Sequence, residues 1–286
     1  MRFATVIHEG REQAAVMVHG DSWAPLTELD AGLAGDLLVL ISAQWSADRL
    51  QGLRERAEKL SGERLLAGSA VRFAPPYRRP KKIWGIGLNY GRHARDLDAE
   101  LPSEPASFIK GEHTIIGPGD AIELPAESER VTTEAELGLI LSPGAGTGAT
   151  PGLEDVFGVS PVLDQTAEDI LQRNPRFLTR SKNFNTFFSF GPEVVTLDEV
   201  GALADIRVST VVDDEVIASD VVANMTFLPH ELLAFHSWLT FFPGDILSPG
   251  TPGAGRIDHD SVATARIDQL MPLTNPVRRT NTTNGR

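Results

Sequence analysis

The chain of 286 residues contains no cysteine. That absence excludes disulfides, thiolate zinc sites and a cysteine nucleophile together. Positive charge is also scarce: 26 Lys and Arg stand against 39 Asp and Glu, for a formal net charge of −13. Phosphate backbones are bound by basic surfaces, so no nucleic-acid partner is expected. No apolar run reaches the ~18 residues that would span a bilayer. The opening MRFATVIHEG lacks a basic stretch leading into an apolar one, and the expectation is a soluble, cytoplasmic chain with no membrane partner. Repeats, heptads and low-complexity tracts are missing as well. So are the G-x-S-x-G elbow and the G-x-x-x-x-G-K-[ST] loop. GIGLNYG at 85–91 begins like a dinucleotide loop, but Tyr90 stands where the third glycine belongs. His230 and His236 are six apart and fall on different faces of a helix, which argues against a zinc pair.

What is present suffices for a sizeable core, since 41% of the residues are hydrophobic. Residues 2–8 and 13–19 alternate as strands of a hairpin around Glu9-Gly10-Arg11, with a second turn at Gly20-Asp21-Ser22. In residues 46–60, Leu50, Leu53, Ala57 and Leu60 share one helical stripe behind Ser46, a candidate N-cap. RFAPPYRRPKK then breaks the pattern with two prolines and a basic cluster, and the boundary between two domains is placed near residue 78. Beyond it, short strand-like runs separated by Pro and Gly turns predict a mostly β domain with one helix over 229–239 and a polar tail, NTTNGR.

Two acids interrupt an apolar run, SERVTTEAELGLIL. Read as a strand, it puts Glu134, Glu136, Gly138 and Ile140 on one face and Ala135, Leu137, Leu139 and Leu141 on the other. The second face is core. Two carboxylates about 7 Å apart along a strand repel unless a proton or a cation lies between them, and a hard divalent metal meets that need. The alternative is the solvated polar face of an edge strand. A third acid, Asp164, ends the apolar run VFGVSPVLD just before a helix-like stretch. It either completes an oxygen-ligand site for Mg²⁺, Mn²⁺ or Ca²⁺ or caps that helix.

Seven strings occur in an informative order: KIWGIGLNYGRHARD, EPASFIKGEHTIIGPGD, ERVTTEAELGLIL, LDQTAED, RSKNFNTFFSFGP, PGDILSPGTPGAG and PLTNPV. In order and spacing they resemble the fumarylacetoacetate hydrolase family over roughly residues 80–277. The resemblance implies an α+β, mostly β fold, with a small N-terminal α/β domain over 1–78 and a rolled β-sandwich catalytic domain over 79–286. It implies a homodimer, to which Trp238, Phe241 and Phe242 would contribute, and a small 2-oxo or diketo acid as substrate. By position, Glu134, Glu136 and Asp164 match the family's metal carboxylates, which would hold Mg²⁺, Mn²⁺ or Ca²⁺. Lys182 matches its active-site lysine, His93 the histidine of its lid motif, and Thr251 a substrate-contacting threonine. Tyr90, Lys110 and Glu168 are assigned to the substrate with Thr251. The chemistry agrees: a metal chelated by the 1-carboxylate and 2-oxo groups stabilises an enolate, and a nearby Lys⁺ adds electrostatic support.

His93 is the expected general base. Asp96, at i+3 on a short helix beginning near Tyr90, would orient the imidazole, and the pair would activate a water for cleavage of a C–C bond in an acylpyruvate-type acid. On the residues alone, without the resemblance, the two read sooner as part of a solvated loop face. Isomerisation, decarboxylation or hydration through the same enolate stays open, as does a non-catalytic binding role. Several positions depart from the family pattern: Thr132 and Thr133 before the acid pair, Glu168 and Leu171 in place of Arg and Gln, Asn185 in place of Asp, Asp96 in place of Glu, and Pro249 in place of Thr. If Glu168 faced the pocket, a second substrate carboxylate would be disfavoured by repulsion; otherwise it would turn outward or pair with an arginine such as Arg173 or Arg176.

Overall fold

A computed structural model describes residues 1–43, 47–91, 102–142 and 150–279. Two sheets organise it, one of fourteen strands and one of five. The strand Val131–Leu141 lies inside the large sheet, paired antiparallel along its whole length with Val156–Ala167. Its other side is shared by two short strands, Ile246–Ser248 against Leu139 and Ile140, and Ala254–Ile257 against Val131 to Glu134. An interior strand must bury both faces. Ala135, Leu137, Leu139 and Leu141 do so in the core between the sheets, with Val208, Ala263, Ala265 and Leu273 of the smaller one. The predicted face alternation holds, but the edge-strand alternative does not.

The opposite face changes character along its length. Ile140 packs with Val162, Ile246, Phe3, Val16 and Leu53 in a second core that covers it with the N-terminal segment. Gly138 follows on that face; a Cβ there would come within 2.7 Å of Val162, so glycine lets the two long strands approach. Glu136 and Glu134 come next, beyond the apolar cover.

The N-terminal hairpin is Arg2–His8 and Arg11–His19, turned by Glu9 and Gly10 at positive φ, and a third strand, Ser22–Pro25, follows. The helix Ala47–Glu58 buries Leu53 and Ala57 as its stripe predicts, and Leu60 is buried just beyond it; Ser46 lies outside the described residues. Hydrogen bonding crosses the position near 78 where the linker signals fall: Arg2–His8 pairs with Glu193–Val195, so one sheet runs through both parts of the chain. The late helix is Pro229–Phe235, closed by a 3-10 turn at His236–Trp238. His236 is buried, with Nδ1 on the Leu232 carbonyl at 2.7 Å. Among the described residues, no helix is long and apolar enough to cross a membrane.

Candidate metal centre and active site

Strand register brings the three acids together. Glu134 and Asp164 are directly opposed across the central pair, and Glu136 is two residues along the same face. One oxygen of each lies within 4.8 Å of the others. Three oxygens on a sphere of about 2.0–2.6 Å radius, the range for Mg²⁺ to Ca²⁺, have separations up to about 4–5 Å, so the donor set fits a hard divalent cation. Asp164 is 0% exposed and Glu136 1%. The helix expected to start at Asp164 begins at Glu168 with Ala167 as its N-cap, because the strand runs through to Ala167; capping is thereby excluded as the role of Asp164.

Two lysines grip Asp164 from opposite sides. Lys110, the last residue of the strand Ala106–Lys110, donates to Oδ1 of Asp164 and, at 3.0 Å, to the Gln165 carbonyl. Lys182, the last residue of the helix Leu178–Lys182, donates to Asp164 Oδ2 at 2.8 Å and to Glu134 Oε2 at 2.7 Å. Its ammonium also sits over the Phe108 ring, 4.5 Å from the centroid. Among the described residues, two buried lysines stand against three carboxylates, a formal excess of one negative charge that a divalent cation would offset. Burial would lower the Lys182 ammonium, but Asp164 and Glu134 outweigh it and hold it above its ordinary value. For Lys110 burial wins, helped by repulsion from Lys182, and the group is drawn down to about 8 despite Asp164.

Glu136 is oriented by the chain between its two short neighbouring strands. Ser248 Oγ donates to Oε2 at 2.5 Å and the Gly250 N–H to the same oxygen at 2.8 Å. Gly250 has φ +108, and a Cβ there would meet the Asn89 Cβ at 2.9 Å. Asn89 ties this loop down by donating to the Pro249 and Phe227 carbonyls. Burial, then Asp164 and Glu134, push the Glu136 carboxyl up to about 8. Thr251 is buried beside this loop, its hydroxyl donating to the Gly253 carbonyl at 3.1 Å and lying 3.5 Å from the Thr210 hydroxyl.

The remaining candidates divide. Tyr90 is fully buried, and burial, with Asp220 and Glu136 nearby, raises its hydroxyl well above the ordinary value; among the described residues that hydroxyl has no hydrogen-bond partner. Glu168 is not part of the carboxylate–lysine network: its carboxylate takes Arg130 Nε at 2.6 Å and Gln172 Nε2 at 3.0 Å. The arginine is thus Arg130 rather than Arg173 or Arg176, and its charge offsets the repulsion expected toward a diacid. His93 and Asp96 lie outside the described residues. Asn185 is exposed. Sequence reasoning missed Ser248, Gly250 and Asn183; the small residues of SPGTPG mark the loop, but no sequence signal shows which carboxylate its N–H groups reach.

Comparison with known proteins adds to this geometry. The sequence profile of the fumarylacetoacetate (FAA) hydrolase C-terminal domain matches residues 82–278. A mitochondrial oxaloacetate tautomerase of Rattus norvegicus is 34% identical over 210 residues, 72% of this chain and 67% of that protein. In structure, maleylpyruvate hydrolase of Sphingobium sp. SYK-6 superposes with TM-score 0.79 at 25% identity, covering 98% of this chain and all of that one. That hydrolase has also been solved with manganese(II) and pyruvate. The 2-hydroxyhepta-2,4-diene-1,7-dioate isomerase of Mycobacterium marinum gives TM-score 0.76 at 23% identity, covering 99% of this chain and all of the other. With its acid triad, its two lysines and this match along most of its length, the chain belongs to the fumarylacetoacetate hydrolase family of enzymes.

Proposed function

We propose that the protein enolises a 2-oxo acid, and that its reaction is keto–enol interconversion of a short dicarboxylic 2-oxo acid of the oxaloacetate type. The observation that carries this reading is the Lys110–Asp164–Lys182 bridge beside Glu134 and Glu136, which gathers fixed charge where an enolate oxygen would develop its own. A divalent cation held by Glu134, Glu136 and Asp164, with Mg²⁺ or Mn²⁺ suiting the oxygen donors, would supply Lewis acidity toward the 2-oxo and 1-carboxylate oxygens. Lys182 stays charged and offers a preorganised cation to that oxyanion. Ser248 and Gly250 both donate to one oxygen of Glu136 and so fix the orientation of its carboxylate. Removing the proton next to the 2-oxo group needs a base, which the sequence assigns to His93 with Asp96.

Tautomerisation is preferred because the tautomerase from Rattus norvegicus is the more similar relative, at 34% identity. A second reading, C–C hydrolysis of an acylpyruvate-type diketo acid, uses the same enolate stabilisation plus an activated water and is favoured by the likeness to maleylpyruvate hydrolase at 25% identity. Ultraviolet absorbance distinguishes them. Cation-dependent decay of the oxaloacetate enol, abolished by chelator, is the expected result; loss of the acetylpyruvate chromophore with pyruvate release assigns hydrolysis, and no change with either substrate rejects both. A homodimer belongs to the same proposal. Trp238 is 66% exposed beside the exposed Phe235, whereas Phe241 is buried in the core of its own chain. A monomer mass by light scattering at micromolar concentration would exclude the dimer.

A further inference from the structure

Lys110 and Lys182 come from separate elements and repel each other, yet both must meet one carboxylate. Asn183, the residue after Lys182, joins those elements through its side chain. Its Nδ2 donates to the Ile109 carbonyl at 3.0 Å and to the Thr179 carbonyl at 2.8 Å, while its Oδ1 accepts the Gly111 N–H at 2.8 Å. Ile109 and Gly111 flank Lys110, and Thr179 lies one helical turn before Asn183. Ala106–Lys110 is the terminal strand of the large sheet, and among the described residues no further strand binds its outer edge. The amide therefore does for this edge what a neighbouring peptide would do, supplying one acceptor and one donor across a single residue. Its second N–H secures the last turn of the Lys182 helix. The backbone of the same residue adds a further tie, since His113 Nε2 lies 3.0 Å from the Asn183 carbonyl.

We propose that Asn183 is a positioning residue that locks Lys110 and Lys182 onto opposite oxygens of Asp164, and thereby fixes the carboxylate presented to the cation. The part concerning the cation rests on the function proposed above; the placement of the two ammonium groups does not. Asparagine is specified by its chemistry. Aspartate keeps the acceptor for Gly111 but turns two donations into repulsions against the Ile109 and Thr179 carbonyls, and alanine loses all three bonds.

Two measurements on the full chain test the proposal. Lys110 is 2% exposed, so a water-soluble amine-acylating reagent should label it slowly relative to Lys82, which is held by Asp245 elsewhere in the fold. In Asn183→Ala the ratio of Lys110 to Lys82 labelling, read by mass spectrometry, should rise about tenfold through local opening. Asn183→Asp should raise it too, in a side chain of almost the same shape, and general destabilisation would instead raise both lysines together. The second measurement is Mn²⁺ affinity by calorimetry. Asn183→Ala should weaken it about tenfold, as loss of an outer-shell partner does, but by a smaller factor, about threefold, when Lys110→Met is already present, since only Lys182 is then left to position. An unchanged labelling ratio, or an equal loss of affinity in both backgrounds, overturns the assignment. A wild-type chain that binds no Mn²⁺ would overturn the cation reading, and the labelling ratio alone would still decide whether Asn183 holds the lysines.

Discussion

Cation binding at Glu136 must displace a proton. Burial, reinforced by Asp164 and Glu134, sets this carboxyl at about 8, and the Ser248 hydroxyl and Lys182 ammonium, which favour its ionised form, do not offset that. Below this value each unit of pH costs a factor of about ten in ionised ligand, about 1.4 kcal/mol. About half the carboxyl is ionised near pH 8 and roughly 1% near pH 6, so apparent Mn²⁺ affinity should fall roughly 50-fold across that interval. The sign also applies to stability. The folded-state value lies above the ordinary 4.5, so the protonated carboxyl contributes stability below that and loses the contribution as pH rises through about 8. Chelator-treated protein should therefore melt at lower temperature toward alkaline pH, where added cation should stabilise it most. Calorimetric titration in two buffers of different ionisation enthalpy reads affinity and proton release together. Close to one proton per cation is expected near pH 6 and about half of one near pH 8. A flat affinity with no proton released would mean that Glu136 is ionised before the cation arrives, contrary to this prediction.

Other expected outcomes follow from the same geometry. Asp164→Asn leaves Lys110 and Lys182 buried without their shared anion, and thermal melting should show a loss of about 3–5 kcal/mol together with loss of cation binding. Gly250→Ala forces a Cβ toward Asn89 and displaces the N–H that holds Glu136; Mn²⁺ affinity should drop about tenfold or more, with the far-ultraviolet circular dichroism spectrum unchanged. His93→Ala should retain cation binding and lower turnover by about 10²-fold or more, and a wild-type rate would remove His93 from the base role.

The acid site was legible where period and chemistry agree. Alternation separated Glu134 and Glu136 from Ala135, Leu137 and Leu139, and those apolar residues do face the intersheet core. Local pattern could not decide between an edge and an interior strand, because the pairing partners of Val131–Leu141 lie elsewhere in the sequence, as far away as Ile257. The same limit hides the role of Asp164, since a helix does begin nearby, three residues later than capping requires. For Glu168 the family pattern leaves a pocket charge and an arginine pair both open; its partner Arg130 is 38 residues away and pairs with it because the two long strands bring their ends together. Asn183 was invisible for a related reason: its value lies in three backbone groups, two of them more than seventy residues distant.

Every step proposed for this protein requires Glu134, Glu136 and Asp164 to form one cation site. Anomalous diffraction from crystals of the full chain equilibrated with Mn²⁺ tests it most directly. A single strong peak per chain, with oxygens of all three carboxylates at about 2.0–2.6 Å, is the predicted result; no peak at the triad, or a peak ligated by other residues, would contradict it.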